Sequence, residues 1–234
     1  MCGPVLVRRR FGLERLTTNN EIAGFKFATV GVIYAVLLAF AVIIVWERFA
    51  DAEAAVIQEA GAAVTLYRLA SGPEPQSRAV RRSLDAYLGV TVAQDWPQMA
   101  RLGESGEATR ALNGLYDAAL ALSHGGVREP AVQVEMFHQL DLITEARRTR
   151  LHLAHGIVPA MLWAVLVTGG TLTIAFTFFF GTRNLRAQML MTGVLALIVS
   201  MGLLVIVSIN HPFTGPVRIQ AAPLELVLKD FGQR

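Results

Sequence analysis

Phe27 to Trp46 reads FATVGVIYAVLLAFAVIIVW, twenty residues without a charge. A helix needs about 20 apolar residues to cross the hydrocarbon core of a bilayer. Two further runs qualify. Gly156 to Phe180 (GIVPAMLWAVLVTGGTLTIAFTFFF) is uncharged over 25 residues, and Ala187 to Ile209 (AQMLMTGVLALIVSMGLLVIVSI) over 23. Each is too long for an ordinary buried helix of a small soluble domain. The first is not read as a cleavable leader, because a 26-residue polar and basic lead precedes it and no small-residue cleavage site follows.

Composition agrees. Of 234 residues, 53% are hydrophobic and 17% charged, against about 25% charged in a typical soluble chain. That balance excludes disorder, and it excludes a nucleic-acid-binding domain with a basic face, so no nucleic-acid partner is expected. The single cysteine, Cys2, excludes an internal disulfide and any multi-thiolate metal site. Mean hydropathy is +0.46.

The segment Glu47–His155 differs, with 14 acidic and 11 basic residues. Val56, Ala60, Ala63, Tyr67 and Ala70 step by 4, 3, 4, 3 and mark one helix face that continues from the first span without a breaker. Ser71-Gly72-Pro73 should stop it. Val80, Leu84, Leu88, Val92, Trp96 and Met99 mark a second helix, which Pro97 should kink or restart. Leu112, Leu115, Ala119 and Leu122 mark a third, closed by His124-Gly125-Gly126. Pro130 opens a fourth through Met136, Leu140 and Ile143 towards Arg147-Arg148-Thr149-Arg150. The expected fold class is an all-α membrane protein, with three transmembrane helices and a helical-bundle domain inserted between the first and second. The expected divisions are a basic lead (1–24), spans at 25–46, 156–180 and 187–209, the bundle at 47–155, a short basic loop at 181–186, and a tail at 210–234 carrying one short surface helix.

Orientation follows from charge near span ends, since Lys and Arg favour the cytoplasmic side. Arg8, Arg9, Arg10, Arg15 and Lys26 share a side with Arg183 and Arg186. Opposite them stand Arg48, Arg147, Arg148, Arg150, Arg218 and Lys229. The vote is 7 to 6, and charge density places the lead and the short loop in the cytoplasm and the helical domain outside. Alternatively, the triple arginine is a solvated surface patch with no topological meaning.

No Asp, Glu, Lys, Arg or His lies inside a span, with Lys26 and His155 at the edges, which argues against proton-coupled transport and voltage sensing. Gly31, Ala35 and Ala39 form a small-residue stripe of the kind that lets helix backbones approach closely; chance placement is the plainer alternative. Glu135 and His138 form one Glu-x-x-His pair, and His152 and His155 lie three apart. Dinuclear bundles use two such pairs with two further glutamates, so no metal and no cofactor is expected. No nucleophile elbow, P-loop or dinucleotide fingerprint occurs, and no enzymatic activity is expected.

Asn19-Asn20-Glu21-Ile22-Ala23-Gly24-Phe25, followed by Val30–Phe40 and by Val45-Trp46-Glu47-Arg48-Phe49, resembles the start of the bestrophin-like family of bacterial multi-pass membrane proteins. Asn210-His211-Pro212-Phe213-Thr214-Gly215 is similar to that family's Pro-Phe-x-Gly exit motif. Asp95-Trp96-Pro97 and the loop Thr182-Arg183-Asn184-Leu185-Arg186 also fit. The motif residues are thus Trp46, Glu47, Arg48, Phe49, Pro212, Phe213 and Gly215, and the resemblance covers nearly the whole chain. It implies a link to bestrophins, which are pentameric anion channels. Two departures stand out. No acidic cluster follows Gly215 before Glu225, so a calcium clasp is not expected. The family's further hydrophobic helix before the basic lead is represented only by Gly3–Val7, so an apolar run upstream of Met1, or its loss, is expected.

Two readings of function follow. In the first, a homo-oligomer in the lipid bilayer conducts small anions, and Leu37, Phe40 and Ile44 on one face of the first span form the constriction; facing lipid or a neighbouring helix is the plainer role for these three. In the second, the helical domain is a membrane-anchored sensor or scaffold without transport activity.

Overall fold

The computed structural model describes residues 3–18, 20–125 and 129–232, with the Arg15 side chain excepted. Gly126, Cys2 and Asn19 of the sequence reading lie outside these residues. Helices α1 (Gly3–Phe11), α2 (Leu13–Thr18), α3 (Asn20–Leu69), α4 (Pro75–Val90), α5 (Trp96–Met99), α6 (Gly106–His124), α7 (Pro130–Ala154), α8 (Ala160–Phe176), α9 (Leu185–Ile209) and α10 (Ala222–Gly232) follow in order. No strand occurs among the described residues. Three helical segments are long and apolar enough to cross a membrane: α3, Ala160–Phe179 and α9. The described chain divides into two compact units, one of Met1–Trp46 with Val158–Asn210, the other of Glu47–Ile157 with His211–Arg234.

In the first unit, Tyr34 of α3 is the packing centre. Its hydroxyl donates to the Leu166 carbonyl at 3.2 Å, in a buried site. Gly169 and Gly170 make room for the ring: a Cβ at Gly170 would stand 2.8 Å from the Tyr34 hydroxyl oxygen and 3.1 Å from a Val199 methyl. The α8–α9 turn is held by side chains. Asn184 caps α9 by accepting from the backbone N–H of Arg186 and Ala187 at 3.1 and 3.2 Å. Gln188 donates to the Phe180 carbonyl at 2.7 Å. Asn20 clasps Gly181 in both directions, donating to its carbonyl at 2.7 Å and accepting from its N–H at 2.9 Å. These contacts close the short connection between the two apolar helices.

The second unit is a helical bundle with an apolar core that includes Leu66, Leu84, Leu115 and Leu140. Helix α3 runs unbroken to Leu69, as its uninterrupted stripe indicated, and stops before Ser71-Gly72-Pro73. Ser105 caps α6 by accepting from the Ala108 N–H, and proline starts α4 and α7 at the position where a missing N–H costs nothing.

Pro97 restarts the helix, as its position predicts: it stands in the first turn of α5, a π-helical turn, Thr91–Asp95, precedes it, and the Trp96 N–H reaches back to the Thr91 carbonyl. A proline ring collides with the carbonyl four residues back in a regular helix, and the wider turn relieves this. The tail helix is amphipathic, with Leu226 and Lys229 on its exposed face. Leu224, Val227 and Phe231 of α10 are buried in the main core, and Phe231 stacks on Tyr67 with ring centroids 3.9 Å apart.

The close approach of Tyr34 to Gly170 yields a first prediction. Gly170→Ala should destabilise the detergent-solubilised protein by about 1–3 kcal/mol, the usual cost of overpacking. In a Tyr34→Ala background the same substitution should cost less, because the ring is gone and only the 3.1 Å approach to Val199 remains. Thermal unfolding of the three variants measures this.

Candidate functional site

Tyr34, Leu38, Ala41 and Val45 step by 4, 3, 4 along α3 and form its inward face within the first unit. Leu38 fills the space that a Cβ at Gly202 would take, with 2.7 Å between them. Leu37, Phe40 and Ile44 fall outside that face and remain 41%, 60% and 46% exposed in the chain. The small-residue stripe is also outside the chain's own packing. Ala35 and Ala39 are exposed, and a Cβ at Gly31 would meet nothing within 4 Å. Helix packing inside this unit therefore runs through Tyr34 and the glycines of α8, not through Gly31, Ala35 and Ala39.

Of the motif residues, Trp46, Glu47 and Arg48 are exposed. Arg48 pairs with Asp51 at 3.6 Å on the surface, an arrangement worth little in water. Phe49 packs against a buried cluster that contains Phe213, Met99 and Ile219. The exit motif is a turn: the Thr214 N–H donates to the His211 carbonyl at 3.0 Å, and Gly215 takes a φ of +78° that few side chains tolerate. The Pro212 carbonyl then accepts from the Ile219 N–H at 2.8 Å. Trp96 joins this turn to the bundle. Its indole N–H donates to the Ile219 carbonyl at 3.4 Å, and its ring meets Phe213 edge-on at 5.6 Å. The structure thus brings Phe49, Trp96, Pro212 and Phe213 into one neighbourhood.

Beside Trp96 lies a buried ion cluster. Arg150 donates from Nε to Glu59 at 3.0 Å and from a terminal nitrogen to Asp95 at 3.4 Å, all three side chains being fully buried. Arg147 holds the same aspartate from Nε at 3.1 Å. Asp95 also accepts from the Ser105 N–H at 2.9 Å, and Tyr87 donates to Glu59 at 2.5 Å. The Arg150 guanidinium lies 4.8 Å from the Trp96 ring centre. Two carboxylates meet two guanidinium groups, so the formal charge closes. Burial pushes the Tyr87 hydroxyl well above its ordinary pKa of 10.0, and the Glu59 carboxylate pushes further, against a lowering by Arg150. Burial alone would pull Arg150 down, but Glu59, Tyr87 and Asp95 outweigh it and the group stays firmly cationic.

The reading of Arg147-Arg148-Arg150 as a solvated patch is corrected for two of the three: Arg147 and Arg150 are buried and paired, and only Arg148 is exposed. A signal was present. The α7 stripe of Met136, Leu140 and Ile143 continues in register through Arg147, Arg150 and Ala154. Glu59 likewise lies between Val56 and Ala63 at steps of 3 and 4. A charge in the register of an apolar stripe marks a buried ion that needs a partner. The histidines form no comparable site. Glu135 accepts from Gln139, while His138, His152 and His155 are exposed. No group of three or more potential metal ligands occurs among the described residues.

Residues 2–224 match the family model of the Bestrophin-like domain. The fold is also that of solved bestrophin homologues from Klebsiella pneumoniae. One such structure shares 17% identity at a TM-score of 0.75, covering 98% of this chain and 95% of its own. Two single-substitution variants share 15% identity each, with TM-scores of 0.76 and 0.77 and the same coverage. No curated protein matches.

The ion cluster sets a second prediction. Arg150→Met should cost about 3–5 kcal/mol, because Glu59 loses its cationic partner while still buried. Adding Glu59→Gln should recover part of that loss, since the orphaned charge is then removed. Chemical denaturation in detergent, followed by tryptophan fluorescence, compares the two.

Proposed function

The chain belongs to the bestrophin-like family of membrane proteins, and on that premise we propose that it assembles with copies of itself into a channel for small anions. The observation that carries the proposal is the unused surface of α3. A span whose inward face is complete through Tyr34, Leu38, Ala41 and Val45 still exposes Leu37, Phe40 and Ile44, and three apolar helices in one chain are too few to enclose a conduit. Several copies arranged about an axis would turn that face into a ring. A narrow ring of such side chains disfavours water, and ions do not pass a dewetted constriction.

With no charged group inside the spans, anion preference would rest on the positive edges of aromatic rings, threonine hydroxyls and helix-end dipoles. Gly31, Ala35 and Ala39 would serve as the contact between neighbouring copies, where small side chains permit close approach. The partners implied are the lipid bilayer, further copies of the chain and small anions. No enzymatic role, metal or cofactor is proposed.

The orientation we propose keeps the basic lead and the 181–186 loop in the cytoplasm, with the helical unit outside a bacterial inner membrane. Pairing and burial of Arg147 and Arg150 support it, because neutralised guanidinium groups no longer weigh against the lead in the positive-inside count. Cysteines introduced at Glu104 and Thr182 in a Cys2→Ser background should therefore differ. An impermeant thiol reagent on whole cells should label 104 and spare 182; the reverse pattern inverts the orientation.

Conduction has its own test. Phe40→Ala and Leu37→Ala should each raise chloride efflux from proteoliposomes several-fold, because the apolar ring widens. Ala35→Leu should reduce assembly by holding backbones apart. Well-folded oligomers that stay silent for chloride, bromide and nitrate with both alanine variants would instead favour a membrane-anchored sensor or scaffold.

A further inference from the structure

On the helical unit, a pocket of about 260 Å³ opens between the start of α4 and the end of α10, lined by Tyr67, Arg78, Arg81, Arg82, Asp85, Phe231 and Gly232. We propose that this pocket binds a phosphate-bearing anion. Three guanidinium groups face one carboxylate there, which leaves two positive charges in surplus. Two of the arginines touch the turn before α4: Arg78 donates to the Pro73 carbonyl, and Arg81 to the Gly72 carbonyl at 3.3 Å. Those bonds use one donor of each group, out of five per guanidinium. The Arg81 Nε is buried and has no hydrogen-bond partner, an expensive condition unless an acceptor arrives.

The helix itself makes the same demand. The first turn of α4 contains no acidic residue; the N-cap residue, Glu74, makes no capping bond to a backbone N–H, and its carboxylate instead accepts from the Ser77 hydroxyl at 3.0 Å. Arg78 stands in that turn, with Arg81 and Arg82 in the next. Cations near a helix N-terminus oppose the helix dipole, whereas an anion there is favoured. An anion between the arginines satisfies the buried Nε, offsets the surplus charge and complements the dipole together.

Size and walls narrow the class. Organic ligands of drug size occupy about 300–1,000 Å³, so this pocket suits a small group. Its apolar wall is the stacked Tyr67–Phe231 pair, and the Arg81 guanidinium lies 5.6 Å from the Tyr67 ring centre, which holds one side of the arginine cluster in place. Guanidinium forks match the oxygens of phosphoryl groups. A free phosphate compound and the headgroup of an anionic lipid share that chemistry. The site is independent of whether the spans conduct.

The test is isothermal titration of the full chain in detergent micelles at fixed ionic strength, with inorganic pyrophosphate in one arm and dihexanoyl phosphatidic acid in the other. Saturable binding is expected, weakened at least tenfold by Arg81→Gln and by Arg82→Gln. Arg110→Gln, at an exposed surface arginine, should leave it unchanged. The Arg82 side chain is exposed, so Arg82→Gln keeps the test meaningful if Arg81→Gln misfolds. Arginine-dependent binding of pyrophosphate assigns a free solute; the same dependence for the lipid alone assigns a headgroup. No saturable heat in either arm, or equal losses in Arg82→Gln and Arg110→Gln, overturns the proposal.

Discussion

The helical unit turns on the need to neutralise Glu59. This carboxylate stands on a helix face otherwise filled by Val56, Ala63 and Leu66, with no access to water. An isolated buried carboxylate is among the costliest groups a core can hold. Arg150 supplies the opposite charge from α7, and in doing so reaches Asp95 as well. The second carboxylate then requires Arg147. One buried acid thus fixes the register of α3 against α7 and locates the turn that carries Asp95. Such clusters add little net stability relative to an apolar core, and their contribution here is geometric: few alternative packings pair all four charges at once.

The π-helical turn makes sense in that frame. Pro97, in the first turn of α5, forces the helix open just before it, and the five residues Thr91–Asp95 end with a carboxylate pointed at two guanidinium groups. The next residue, Trp96, meets Arg150 on one hand and the Pro212–Phe213 turn on the other. Asp95, Trp96 and Pro97 therefore divide the labour among charge, aromatic contact and backbone geometry. The first unit has a comparable device without charge, in which one tyrosine ring occupies the space left by two glycines.

Much of this was legible in the residues. Uncharged runs of twenty or more announced the three long apolar helices, and the unbroken stripe from Val56 to Ala70 announced the length of α3. Part of the family resemblance, Phe49, Asp95-Trp96-Pro97 and Pro212-Phe213, lies in segments that the structure gathers about Trp96. Other features were hidden for identifiable reasons. Arg147-Arg148-Arg150 looks like a surface patch because charge runs usually are; only the continued 3–4 spacing from Ile143 distinguishes the two arginines that turn inward. The apolar face of α10, Leu224, Val227 and Phe231, follows a helical spacing, but its contact with Tyr67, remote in sequence, has no local signal. The faces of the first span could be listed but not assigned, because glycine, alanine, leucine and phenylalanine serve equally against protein and against lipid. Tyr34, whose hydroxyl donates to the Leu166 carbonyl of a neighbouring apolar helix, was the overlooked clue.

The ion cluster also has a history in time. Glu59 and Arg150 are 91 positions apart, and ribosomes add about 5–20 residues per second. An acid made early therefore waits on the order of 5–20 s for its cation. Throughout that interval the α3 stripe cannot close, and its alanines and leucines stay accessible to whatever else is nascent nearby. Phe231, which completes the other end of the same core, emerges later still. Closure of the helical unit consequently waits for synthesis well past α7, so a ribosome stalled beyond residue 69 but short of 150 would display a sticky, acid-bearing helix to the cell's proteases and chaperones.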